Sequence, residues 1–131
     1  MCFLKVYSAT TSFRDYAETT SIPVFSVREK GDLRRRSTGE QYKYFCISFD
    51  VSEREWGDFP GQVEDAIAFL EKYHADLKVI CGRTDVEDVC LDFPIQSRLN
   101  GKIVNQNDYL PARLVRLAGE IGAGICVSHY G

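Results

Sequence analysis

The chain has 131 residues, 44% apolar and 27% charged, with 16 basic against 19 acidic side chains and a formal net charge of −3. That length suits one domain around one hydrophobic core, and the composition is that of a folded chain, not a disordered one. The acidic balance, with a sequence pI near 5.4, argues against a nucleic-acid binder, whose footprint is a strong basic excess.

The apolar start Met1-Cys2-Phe3-Leu4-Lys5-Val6-Tyr7 is too short for a signal peptide and precedes no small-residue cleavage site. No run approaches the roughly 20 apolar residues of a membrane helix. A first strand is expected over 3–9, and Thr10-Thr11-Ser12 supplies caps for a short helix over 13–18. Pro23 ends that unit, and a second strand follows over 24–28. Residues 29–41, with Gly31, Arg34, Arg35, Arg36 and Gly39, read as a charged loop. The strongest strand spans 42–52, where Phe45, Ile47, Phe49 and Val51 alternate with Tyr44, Cys46, Ser48 and Asp50.

An acidic turn over 53–57 carries the only tryptophan, Trp56. Asp58 and Pro60 then open a helix. Its stripe is Val63, Ile67 and Leu70, joined by Ala66 and Tyr73, and it ends near His74. Short strands are expected over 77–81 and 89–96. Pro94 lacks a donor, which places the second of these at a sheet edge or on a bulge. Asn100-Gly101 signals a two-residue hairpin that returns through 102–105. Asp108 and Pro111 announce a last helix over 110–121, buried through Leu110, Leu114, Leu117, Ala118 and Ile121. A final strand covers 125–130. The order is β-α-β-β-α-β-β-α-β in one α+β domain over 1–131, with a mixed, mostly antiparallel sheet and helices packed on one face.

No local motif builds an enzyme site. There is no G-x-S-x-G elbow, and the glycines at 119, 122 and 124 follow a helix and precede a strand, the reverse of a dinucleotide fingerprint. Five cysteines, at 2, 46, 81, 90 and 126, form no CxxC pair, and four fall in expected strands. They read as reduced core thiols of a cytosolic protein. Cys90 and Asp92 share a strand face and Cys46 and Cys126 could approach them, but packing explains small cysteines better than a metal site does. No cofactor or metal is expected. The run Arg34–Arg36 before Tyr42-Lys43-Tyr44-Phe45 lacks the glycine pattern of an RNA-binding strand, so no nucleic-acid partner is expected either.

Thr20-Ser21-Ile22-Pro23 followed by Glu29-Lys30-Gly31-Asp32 resembles a family of small bacterial domains of unknown function. In that family a short helix leads to an Ile/Leu-x-Pro element and a Lys-Gly-Asp loop. The long helix before a short strand, the amphipathic strand Val89–Ile95, the Leu-rich helix and the closing Ile125-Cys126-Val127-Ser128-His129-Tyr130 are similar as well. Small acidic domains of this kind resemble the immunity proteins of bacterial polymorphic toxins, which implies a cytoplasmic protein that blocks a cognate toxin's active site.

The partner surface expected is the acidic-aromatic turn of Asp50, Glu53, Glu55, Trp56 and Asp58, with Arg34, Arg35 and Arg36 as a second contact region. The alternative is a small-molecule site or minor enzyme on the mixed face of Tyr44, Cys46, Ser48, Cys90, Asp92, Ser128 and Tyr130. That alternative requires the face to be free of any covering helix. A third reading is a domain that serves only within a larger assembly.

Overall fold

The computed structural model describes residues 1–131. In chain order its elements are β1 (Cys2–Ser8), α1 (Arg14–Thr19), β2 (Val24–Arg28), β3 (Leu33–Arg35), β4 (Glu40–Gln41), β5 (Phe45–Ser52), α2 (Phe59–Lys72), α3 (His74–Cys81), β6 (Asp88–Gln96), α4 (Ala112–Glu120) and β7 (Gly124–Tyr130).

Period-2 alternation builds the main sheet. β1 buries Cys2, Leu4, Val6 and Ser8, and turns Phe3, Lys5 and Tyr7 to the opposite face. β5 contributes Ile47, Phe49 and Val51 to the same core, and β6 contributes Val89, Leu91, Phe93 and Ile95. The strands lie in the order β2-β5-β1-β6-β7. All neighbours are antiparallel except β6 and β7, which α4 joins by a crossover. β3 and β4 form a separate two-stranded hairpin between β2 and β5.

The helices close the core from one side only. Asp58 caps α2 by accepting from the Gly61 amide at 3.0 Å. A Cβ at Gly61 would collide with that carboxylate, so the cap depends on glycine there. α2 buries Phe59, Val63, Ala66, Phe69 and Leu70, and Phe59 meets Phe93 edge-on at 5.5 Å. α1 reaches the same core through Tyr16, whose ring stands edge-on to Phe49 at 6.4 Å. No helix is long and apolar enough to cross a membrane.

This is the α+β class expected, with a mixed, mostly antiparallel sheet and helices on one face. Several elements differ from expectation. Residues 77–81 are helical, because α2 breaks at Tyr73 and α3 restarts at His74. Leu77, Ile80 and Cys81 then face the core at helical spacing while Val79 is exposed. Cys81 is therefore a helix residue, not a strand one. Asn100 does make a turn: its side-chain oxygen accepts from the amides of Lys102 and Ile103 at 2.7 and 2.8 Å. No strand returns from it, and residues 97–111 stay irregular.

Pro94 is not on an edge strand, since β6 lies between β1 and β7. It is tolerated because β1 pairs with β6 only as far as Asp92, leaving no ladder partner for an amide at 94 on that side. Asp108 does not cap α4, whose N-cap is Pro111. The charged loop over 29–41 holds the small β3–β4 hairpin.

Candidate functional site

With every helix on one side, the opposite face of the sheet is left open. It carries Phe3, Lys5 and Tyr7 from β1, Cys46, Ser48 and Asp50 from β5, Cys90 and Asp92 from β6, and Cys126, Ser128 and Tyr130 from β7. Cross-strand pairing sets Lys5 opposite both Ser48 and Cys90. The Lys5 ammonium lies 3.2 Å from the Asp92 carboxylate, which also accepts from the Ser128 hydroxyl at 3.1 Å. The mixed face is thus assembled as the sequence implies, and no helix covers it.

The turn that follows β5 sits at one end of this face. Trp56 is 43% exposed and Tyr130 48% exposed, and their rings stack at 4.6 Å with an interplanar angle of 21°. Backbone bonds fix the turn. The Gln96 amide donates to the Trp56 carbonyl at 3.1 Å. The wholly buried Gln62 donates its amide hydrogens to the carbonyls of Glu55 and Pro94 at 3.1 and 3.0 Å.

The acidic residues of this region divide by role. Asp58 is committed to capping α2 and pairs with Arg54 at 3.3 Å. Arg54 also holds Asp65 at 3.3 Å. Glu53 and Glu55 are exposed and form no ion pair. Asp50 lies on the open face across from Phe3, half-buried.

Arg34, Arg35 and Arg36 lie at the other end of the sheet, on the hairpin that links the end of β2 to the start of β5. Glu40 engages Arg34 at 3.4 Å and Arg35 at 3.9 Å, and Arg36 is exposed in the hairpin turn. The two expected contact regions are therefore separated by the length of β1, about 20 Å at the rise of an extended strand.

Between them is a groove of about 460 Å³, walled by Phe3, Tyr7, Phe25 and Tyr44, with the hairpin on its far side and Cys46 and Ser48 at its base. Tyr44, Cys46 and Ser48 were singled out by the alternation of β5. Arg28, Tyr42 and Phe25 were not, because an isolated polar-aromatic strand and a charged loop give no sign that they enclose a space together. The outward positions Phe3, Lys5 and Tyr7 were the available signal.

The nucleophile chemistry is muted. All five cysteines are unpaired, with only Cys126 exposed. Burial pushes the Cys2 thiol far up, Cys81 up to about 12, Cys90 up to about 11 and Cys46 upward as well. Thiols held protonated in this way are poor nucleophiles. Both histidines face carboxylates: His74 contacts Glu120 at 2.6 Å, and His129 lies 3.7 Å from Asp108. Neither is bonded to a cysteine or serine. No three His, Cys, Asp or Glu side chains converge as a metal site would require.

No family model matches this chain, and neither a curated protein nor a solved structure shows significant similarity to it.

Proposed function

We propose that the chain is a protein-binding domain that serves as a bacterial immunity protein, neutralising a cognate toxin in the cytoplasm by blocking its active site. The observation that carries this reading is the Trp56–Tyr130 stack, two large aromatic side chains almost half exposed yet fixed in place. Exposed aromatics held rigid lose little entropy when a partner docks, which is the property of an interface hot spot. Glu53 and Glu55 flank the stack with unneutralised charge, suited to steering a basic partner. The protonated state of four thiols fits a binder that does no nucleophilic chemistry, and five unpaired cysteines fit a reducing compartment. The link to immunity proteins is a likeness of class, resting on small size, acidic balance and the absence of a catalytic motif.

The test is calorimetric titration of the product of the neighbouring reading frame with the native chain and with a Trp56→Ala, Glu55→Lys double variant. Removing a hot-spot aromatic is expected to weaken binding about 30-fold or more, the equivalent of about 2 kcal/mol. Unchanged affinity in the double variant would remove the turn from the interface. Failure of the native chain to bind that product would remove the immunity reading itself.

A further inference from the structure

The groove under the β3–β4 hairpin has a charge opposite to that of the molecule. Its lining includes four cations, Lys5, Arg28, Arg34 and Lys43, against one carboxylate, Glu40, on a chain whose formal net charge is −3. Two of those cations are already matched, Lys5 by Asp92 and Arg34 by Glu40. Arg28 and Lys43 are in no ion pair. The Arg28 guanidinium instead stacks over the Tyr42 ring, 5.0 Å from its centre, an arrangement that holds the planar fork in place while leaving its N–H donors free of any carboxylate.

The walls are aromatic. Phe3 and Phe25 meet at 4.5 Å, and Tyr7 and Tyr44 stand edge-on at 6.3 Å. Phe25 is 56% exposed and Tyr44 43% exposed, so ring surface is left uncovered inside the groove. The Tyr7 hydroxyl, protonated at neutral pH as any phenol is, can donate into the groove, and burial pushes its pKa further up to about 12. The volume of about 460 Å³ falls within the roughly 300–1,000 Å³ of small-molecule sites.

We infer that this groove binds a small planar aromatic anion, its ring lying between the Phe3–Phe25 and Tyr7–Tyr44 pairs and its carboxylate, sulfonate or phosphate held by Arg28 and Lys43. The ring surface supplies apolar burial, and the unpaired guanidinium supplies the directed, charge-assisted bond that selects an anion over a neutral ring of the same size. The site is distinct from the Trp56 turn and does not rest on the toxin-binding reading.

The probe is anilinonaphthalene sulfonate, whose fluorescence rises on binding, compared with the neutral phenylnaphthylamine. The native chain is expected to bind the sulfonate at one saturable site. That affinity falls about tenfold in Arg28→Gln, the loss of one charge-assisted hydrogen bond, and by a smaller factor in Lys43→Gln. Raising the ionic strength to about 0.5 M weakens it too. Binding of the neutral amine stays the same in both variants. Both substitutions are at exposed positions, and a shared urea midpoint with the native chain excludes dye binding to a partly unfolded state. The inference is overturned if the sulfonate binds both variants within about twofold of native. It is equally overturned if the native chain binds the amine as tightly as the sulfonate, the mark of an unselective apolar surface. Affinity of Arg28→Gln for the product of the neighbouring reading frame stays at the native level, so the two readings fail separately.

Discussion

Gln62 is the buried residue on which the Trp56 turn depends, and its replacement has a calculable effect. Two carbonyl oxygens, of Glu55 and Pro94, lie within 3.1 Å of its nitrogen, so the NH2 end of the amide must face them. Its own carbonyl oxygen is buried without a partner. In Gln62→Leu, a swap of similar volume at a helix position, both donations vanish. The Glu55 carbonyl still accepts from the Asp58 amide at 3.0 Å, so the Pro94 carbonyl bears most of the loss. An orphaned buried acceptor costs about 1–3 kcal/mol, and a lost hydrogen bond about 1 kcal/mol net. Removing the unpartnered Gln62 oxygen returns about 1 kcal/mol on the same scale. The net destabilisation expected is about 2 kcal/mol.

Gln62→Glu should cost more, about 3 kcal/mol or above at neutral pH, since it buries a carboxylate against carbonyls. Desolvation raises that carboxyl's pKa in the folded state only. Its stability deficit therefore grows as pH rises from the unfolded value of about 4.3 toward the raised folded-state value, and is at its constant minimum below about 4.3. Urea unfolding followed by Trp56 fluorescence and, separately, by far-ultraviolet circular dichroism measures both variants. A Gln62→Leu midpoint equal to native would refute the pinning of the turn by this side chain. Equal stability of the Leu and Glu variants at neutral pH would refute the donor assignment.

Two further outcomes follow from the charged and sulfur-bearing groups. A thiol-specific alkylating agent should modify Cys126 first, then Cys90 at a rate rising with pH toward about 11, and Cys2, Cys46 and Cys81 only on unfolding. Peptide mapping that found Cys81 modified in the native state would contradict the burial of α3. The Arg83 guanidinium beside Asp85 lowers that carboxyl from 3.8 to about 2, so the stability it contributes is complete above 3.8 and lost as pH falls through about 2. Thermal midpoints of native and Asp85→Asn chains should therefore differ by a constant amount above about pH 4 and converge near pH 2. A constant gap down to pH 2 would show that the pair contributes nothing.

Much of the fold was legible because burial on one face imposes a period that the chain must repeat. The alternation of Phe45, Ile47, Phe49 and Val51, and of Val89, Leu91, Phe93 and Ile95, reads as two strands and is two strands. Asp58 with Pro60 reads as a helix start and is one. Residues 77–81 misled for the same reason: five residues, mostly apolar, satisfy either period, and only their continuation from α2 makes them helical. Asn100-Gly101 made its turn without a hairpin because a turn is local, whereas a returning strand needs a partner with a free edge.

The amino-acid sequence by itself determined the buried faces of the long strands, where α2 begins, and that Trp56 stands in a polar, acidic turn. These are properties of neighbours along the chain, expressed through side-chain period and capping chemistry. Tertiary structure alone decided that β1 lies between β5 and β6, which brings Lys5 to Asp92 and builds one continuous face free of helices. It also decided that Tyr130 stacks on Trp56, and that Arg28, Tyr42 and Phe25 enclose a groove. Those pairs are far apart in sequence or on opposite sides of a hairpin. Their meeting depends on strand order and on which face the helices occupy, and no short window of sequence encodes either.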